Sequence, residues 1–239
     1  MKNISRRFFI LSSMGLVGCS SKAMQGSLDT FKFGMKGRQD AVVSREYVDK
    51  LPYASILVKI GLAQRSLLVL GHIDGQNLHW MSADRSVIIT NRGRISKTVG
   101  FPSNVIYTKD HYYSLYDALS DYKAELSRSS TQTKLMPLRY KEDKVYSRMI
   151  DVTPENYYST EIQGRLKFIE ETKIEILEKL HSALVFEEYC ESSTLDWRFT
   201  NTYWVDPDTW FIWKSIQHFT PSLKPAEIQV TKPYRNPYT

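Results

Sequence analysis

The chain has 239 residues, 42% of them hydrophobic and 24% charged, and a formal net charge of +6 at pH 7. That length suits one all-β domain or a small domain pair and is enough to bury an apolar core without staples. The mild basic surplus excludes a nucleic-acid-binding reading, and two cysteines at positions 19 and 190 exclude a disulfide framework.

Chain order begins with a targeting segment. Lys2, Arg6 and Arg7 form a positive start, Phe8 to Val17 an apolar run, and Leu16-Val17-Gly18-Cys19 closes it. About ten apolar residues are too few to span a bilayer, which needs roughly 20, so the segment reads as a secretory signal. A small residue followed by Cys is the bacterial lipobox pattern. Cleavage before Cys19 is then expected, with a diacylglyceryl group on its thiol and a further acyl chain on the freed amine. The competing reading is an ordinary signal peptide cut elsewhere, with Cys19 incidental. Ser5-Arg6-Arg7-Phe8-Phe9-Ile10 is similar to a twin-arginine signal, although two arginines also satisfy the ordinary charge requirement. Ser20 in place of Asp resembles the sorting signal for the outer membrane. The expectation is a lipid-anchored protein of the outer membrane, facing the periplasm, held there by hydrocarbon burial. Loss of residues 1–18 removes three basic residues and no acidic one, leaving +3.

Residues 19–44 are rich in Ser, Gly, Lys and Gln and read as a lipidated tether, with the stretch around Phe31 and Phe33 open to docking. Residues 45–239 read as a single β domain. Ser44 is a candidate N-cap for a short turn ended by Pro52. Strand-length runs follow at 55–60, 66–70, 77–82, 86–90 and 94–99, with Leu78 and Trp80 on one face. Asp74-Gly75 and Asn91-Arg92-Gly93 between them are hairpin signals. Connections this short require antiparallel pairing. Leu115, Leu119, Tyr122 and Leu126 recur at helical spacing, so a helix is expected over 113–126 and an exposed loop over 127–144. Strands resume from Val145. The stretch 162–180 carries both periodicities and is read as strand, followed by strands at 185–191, 197–205, 210–219 and 227–231. In 197–205, Trp197, Phe199, Asn201, Tyr203 and Val205 share one face. The fold class is therefore all-β and mainly antiparallel: a meander-type barrel or strongly bent sandwich of about a dozen strands with one or two short helices.

No residue pattern announces catalysis. His72, His79 and Asp74 could meet across a hairpin, but they lack a further ligand and any metal-binding spacing, so neither metal nor cofactor is expected beyond the lipid on Cys19. Asp84 suits a turn-capping carboxylate beside Arg85. Glu187 and Glu188 are neighbours in a strand and must face opposite ways, so they cannot flank one glycosidic bond. Cys190 reads as a buried small hydrophobe. Fifteen Tyr and five Trp are the stronger lead, because sugar C–H faces stack on aromatic planes while phenol and indole edges bond hydroxyls. Most strand aromatics serve the core or cross-strand pairs. Trp204, Trp210, Tyr112, Tyr113 and Tyr116 are the candidates for binding a glycan or a partner.

Several patches carry a resemblance. Leu51-Pro52-Tyr53-Ala54-Ser55, Trp80-Met81-Ser82-Ala83-Asp84-Arg85 and Asn91-Arg92-Gly93-Arg94 resemble the N-terminal half of the YjbF/GfcB lipoproteins. Trp197-Arg198-Phe199, Tyr203-Trp204-Val205-Asp206-Pro207 and Trp213-Lys214-Ser215 resemble the C-terminal half. The resemblance spans most of 51–232 and departs at Trp210, where a wide turn more often carries Gly. It implies an antiparallel β architecture, no established catalytic residues, and a part in producing group 4 capsule or a related exopolysaccharide. The implied role is non-enzymatic, assisting polymer assembly or export through glycan binding or through docking onto polysaccharide-export proteins. A periplasmic polysaccharide-modifying enzyme of glycosidase type and a purely structural envelope lipoprotein are the alternatives.

Overall fold

The computed structural model describes residues 43–128 and 144–234. The expected signal segment 1–18, Cys19, nearly all of the expected tether 19–44 and most of the expected loop 127–144 lie outside the described residues. Ser44 accepts a hydrogen bond from the Tyr47 amide and starts helix α1, Arg45–Lys50, which stops at Leu51 ahead of Pro52. Arg45 reaches from α1 to three carbonyls, those of Thr231 (2.7 Å), Ile176 (2.9 Å) and Leu177 (3.2 Å).

Five strands follow in a run: β1 (Ser55–Ile60), β2 (Ser66–Asp74), β3 (Asn77–Met81), β4 (Val87–Asn91) and β5 (Arg94–Val99). After them come β6 (Asn104–Asp110) and helix α2 (Leu115–Arg128). The second half holds β7 (Val145–Thr153), β8 (Tyr157–Ile176), β9 (Lys179–Ser192), β10 (Trp197–Val205), β11 (Ile212–Gln217) and β12 (Ala226–Lys232). All twelve form one sheet in the order β5-β4-β3-β2-β1-β12-β11-β10-β9-β8-β7-β6. Every pairing is antiparallel, and β1 pairs with β12 so that the two ends of the meander meet. The remaining gap, between β5 and β6, is bridged through side chains. Thr108 Oγ1 donates to the Ser96 carbonyl at 2.7 Å, and the Val105 amide donates to Thr98 Oγ1 at 3.1 Å. The result is a nearly closed barrel.

Turn chemistry sets the register. Asp74 pairs with Asn77 around Gly75-Gln76, and Asn91 pairs with Arg94 around Arg92-Gly93. Arg92 and Gly93 both have positive φ, +47° and +88°, the pair of angles that matches strand twist in a two-residue hairpin. A Cβ on Gly93 would also lie 2.8 Å from Ile212 Cδ1, so this turn sits tight against β11.

Three elements differ from the sequence reading. Patterning gives no strand between 100 and 112, yet β6 forms there; it has one fully buried residue, Val105, because it is an edge strand with few side chains facing the core. The stretch 162–180, read as strand, contains a hairpin turn: β8 runs over Tyr157–Ile176 with a register shift at Phe168/Glu170, Leu177 and Glu178 turn at positive φ, and β9 starts at Lys179. The strand expected over 210–219 is confined to Ile212–Gln217, with Trp210 still in the turn.

On β8 the inward positions are apolar and the outward ones charged or polar. Along β8, Ile162, Leu166 and Phe168 are buried while Glu161, Gln163, Arg165 and Lys167 are exposed. This is the reverse of a transmembrane barrel, whose outer band is apolar. No helix among the described residues is long and apolar enough to cross a membrane. Two cores fill the barrel. One contains Ile56, Trp80, Ile88, Ile150, Ile162, Cys190 and Phe199. In the other, α2 inserts Leu115, Leu119 and Tyr122 against Tyr146, Leu166, Phe186, Tyr203 and Val205.

Candidate functional site

Between the two cores runs a polar layer, and alternation explains its place. On β9 the inward series is Phe186, Glu188, Cys190; on β10 it is Phe199, Asn201, Tyr203; on β7 it is Tyr146, Arg148, Ile150. The middle member of each series is polar and flanked by both cores. Glu188 is fully buried and its carboxylate takes five donors. Arg94 Nη2 (2.5 Å), Tyr146 Oη (2.9 Å) and Arg148 Nη1 (3.3 Å) bond Oε1; Asn201 Nδ2 (2.7 Å) and Tyr203 Oη (3.0 Å) bond Oε2. On β8 the matching position is Gly164, where a Cβ would lie 2.9 Å from the Tyr146 ring and 3.2 Å from Glu188 Oε1. Glycine leaves the room this cluster occupies.

Burial opposes ionisation of Glu188, but the guanidinium groups of Arg94 and Arg148 and the donated hydrogen bonds outweigh it, drawing the carboxyl down to about 2. Burial and the Glu188 charge push the Cys190 thiol up to about 12, and raise Tyr146 and Tyr203 well above the usual phenol range. An ionised carboxylate saturated with donors has no proton to give and no free lone pair for a substrate. The layer is a strut that ties β5, β7, β9 and β10 across the interior. Gln217 adds a second tie from β11, accepting from the Ile95 amide (2.9 Å) and donating to the Gly93 carbonyl (2.8 Å).

These ties hold the β4–β5 hairpin over one mouth of the barrel, opposite the β10–β11 turn and beside α2. A cleft of about 420 Å³ opens between them. Its floor includes Trp80, Ile228 and Ile212, and its walls Tyr116, Trp210, Phe211 and Trp213. Trp80 is anchored by Nε1 donating to Thr90 Oγ1 at 2.8 Å. Trp213 donates to Asp206 Oδ2 at 3.0 Å and packs on His181, ring centroids 4.0 Å apart. Burial disfavours the charged form of Asp206, yet hydrogen bonds from Thr209, Trp213 and Asp208 hold its carboxyl below its ordinary value. That carboxylate thus fixes both the turn and one wall.

Trp210 occupies φ +63°, a conformation costing a non-glycine residue about 1–2 kcal/mol. Its amide bonds the Asp206 carbonyl at 2.9 Å and its ring lies 6.1 Å from Phe186. The departure from Gly at this turn places an indole in the cleft wall. Among the described lining residues of this cleft there is no Asp or Glu.

Of the five aromatic candidates, the cleft gathers Trp210 and Tyr116. Arg92 stacks on Tyr116, its Cζ 3.8 Å from the ring centroid. Trp204 lies on the outer face with Lys214 Nζ 4.8 Å from its ring. Tyr113 donates to Asp121 at 2.7 Å beside α2, and Tyr112 is fully exposed. His72 and His79 do pair across β2 and β3, ring centroids 5.0 Å apart, and no group of three or more metal-ligating side chains occurs among the described residues. Asp84 accepts from the Ser86 amide at 3.2 Å, as expected of a turn cap. Glu187 and Glu188 do face opposite ways. Trp80 and Trp213 in the cleft, and Arg94 and Arg148 in the strut, were not legible as site residues. The one available signal was a charge in the inward register of β7 and β9.

Residues 28–231 match the family described as "Group 4 capsule polysaccharide lipoprotein gfcB, YjbF". The uncharacterized lipoprotein GfcB of Escherichia coli (strain K12) is 25% identical over 219 residues, which is 91% of this chain and 94% of that protein. The crystal structure of the hypothetical lipoprotein YmcC from Escherichia coli (K12) has the same fold, with a TM-score of 0.66 at 21% identity over 92% of this chain and 100% of that one.

Proposed function

Because the chain belongs to the YjbF family of group 4 capsule polysaccharide lipoproteins, we propose that it holds a capsular or exopolysaccharide chain in its barrel-mouth cleft while that polymer is assembled or exported. The observation that carries this reading is the cleft itself: Trp210, Trp213, Phe211 and Tyr116 around a space of about 420 Å³, within the roughly 300–1,000 Å³ of ordinary ligand sites. Aromatic planes suit the C–H faces of pyranose rings and tolerate many sugars. Their fixed positions, set by Asp206, Thr90 and the strained turn at Trp210, lower the ordering cost of binding.

Placement follows from the same reading. Cys19 carries the acyl chains, anchors the protein to the outer membrane, and leaves the barrel in the periplasm. The charged outer face of β8 supports a barrel surrounded by water. Binding needs no cofactor and no proton transfer, in keeping with a cleft whose described lining lacks carboxylates.

The test is isothermal titration of the full processed chain, in mild detergent, with capsular polysaccharide from the source strain. Wild type is expected to bind, and Trp210→Ala and Trp213→Ala each to weaken binding about tenfold, the equivalent of about 1.4 kcal/mol of lost stacking. No binding by wild type contradicts the reading, and leaves docking onto the export apparatus as the role to pursue.

A further inference from the structure

Beside the aromatic cleft lies a second cavity, of about 480 Å³, at the β5–β6 seam. The two share Arg92, Tyr116 and Leu119, so they lie side by side at this end of the barrel. Their linings differ in kind. Asn77, Asn91, Ser96 and Thr108 give the seam cavity a hydrogen-bonding wall where the cleft has aromatic planes.

Arg94 lines this cavity with its side chain only 8% exposed. One of its nitrogens, Nη2, bonds Glu188, while Nη1 is buried with no hydrogen-bond partner among the described residues. The charge count of the polar layer points the same way. Arg94 and Arg148 bring two positive charges and Glu188 one negative; Tyr146, Tyr203 and Cys190 stay neutral because burial disfavours their ionised forms. One positive charge is therefore left over in a desolvated layer, and a buried guanidinium without its full set of acceptors is costly. Asp110 also lines the cavity and acts on Arg94 electrostatically, and it is exposed to solvent. Asp117 is already engaged, accepting from the Ser114 amide (2.9 Å) and hydroxyl (2.6 Å). Asp74, at the β2–β3 hairpin, is the third acidic side chain among the described lining residues.

We propose that the seam cavity is an anion seat, in which Arg94 Nη1 receives the carboxylate of an acidic sugar belonging to the polymer that lies on the neighbouring aromatic cleft. This rests on the glycan-binding reading above and specifies its ligand as a carboxylate-bearing polysaccharide. A guanidinium suits the task because its planar fork can hold Glu188 on one nitrogen and offer the other to an incoming carboxylate. Arg92, on Tyr116 at the junction of the two cavities, supplies a second cation along the same path.

The experiment compares capsular polysaccharide of the source strain before and after chemical reduction of its carboxylates to primary alcohols, titrated into the full processed chain. Native polymer is expected to bind at least about tenfold more tightly than reduced polymer, with a preference that shrinks as salt rises. Equal affinity for the two forms overturns the anion seat while the glycan-binding reading stands; no binding of either form overturns both. Arg94→Lys keeps a charge for Glu188 but removes the second nitrogen, and should abolish the preference; a preserved tenfold preference places the seat elsewhere. Should that variant not fold, Asp110→Asn supplies the same information from an exposed position. Removing this competing charge should tighten native polymer about two- to threefold and leave reduced polymer unchanged, and no change with native polymer overturns the proposal.

Discussion

Replacing Glu188 by Gln should cost the barrel about 3–5 kcal/mol, the usual loss when one partner of a buried ion pair is removed. The side chains of Arg94 and Arg148 are 8% and 7% exposed, so both guanidinium groups lose their charge partner in a largely desolvated setting once the carboxylate is gone. The titration of Glu188 gives a second route to the magnitude. Its carboxyl falls from 4.5 to about 2 on folding, and at about 1.4 kcal/mol per unit this is about 3–4 kcal/mol. For a chain of this size, each kcal/mol moves the melting temperature by about 2–4 °C, so a drop of about 6–20 °C is expected at pH 7. The sign of the pH dependence follows from the lowered folded value. The contribution is fully present above the unfolded pKa of about 4.5 and is lost as pH falls toward 2. Melting curves of wild type and Glu188→Gln, followed by circular dichroism, should therefore lie far apart at pH 7 and converge between about pH 5 and pH 2. A variant that melts within 2 °C of wild type at pH 7, or a gap that does not narrow in acid, would refute the view that this layer is a buried, charge-paired strut.

Gly164→Ala puts a methyl group 2.9 Å from the Tyr146 ring and 3.2 Å from Glu188 Oε1; overpacking of this kind should cost about 1–3 kcal/mol, read from the urea midpoint. Cys190, buried with its thiol pushed up to about 12, should resist iodoacetamide at pH 8 in the folded protein and react fully in guanidinium, as measured by peptide mass spectrometry. Arg45→Ala removes three hydrogen bonds that pin the β8–β9 turn and β12 to α1. Amide exchange should accelerate at residues 174–181 while the barrel strands keep their protection.

The meander was legible because two local signals agree. Apolar alternation gives the strands, and Asp74-Gly75 and Arg92-Gly93 make their connections too short for anything but antiparallel pairing. β6 was not, since an edge strand with one buried residue carries almost no alternation. The shared inward face of Phe199, Asn201, Tyr203 and Val205 could be read from β10 alone. That Asn201 and Tyr203 meet Glu188, and that Arg94 and Arg148 arrive from β5 and β7, depends on curvature that brings four strands around one interior. A single charged residue within a strand resembles a surface residue until closure is known. The same holds for the tryptophans. Trp204 and Trp210 are six residues apart, yet one lies on the outer wall and the other turns into the mouth, because the β10–β11 turn intervenes with Trp210 at positive φ. The expectation of lipidation at Cys19 rests on the sequence pattern alone, since that residue lies outside the described ones.

Hydrogen exchange of the full chain with and without capsular polysaccharide tests the account most directly, because it asks where the polymer lies. Slower exchange is expected at the β4–β5 turn (residues 91–94), the first turns of α2 (115–123) and the β10–β11 turn (206–213), with β8 and its charged outer face unchanged. Protection confined to the outer wall around Trp204, or no protection anywhere at saturating polymer, would contradict the claim that the barrel mouth binds glycan.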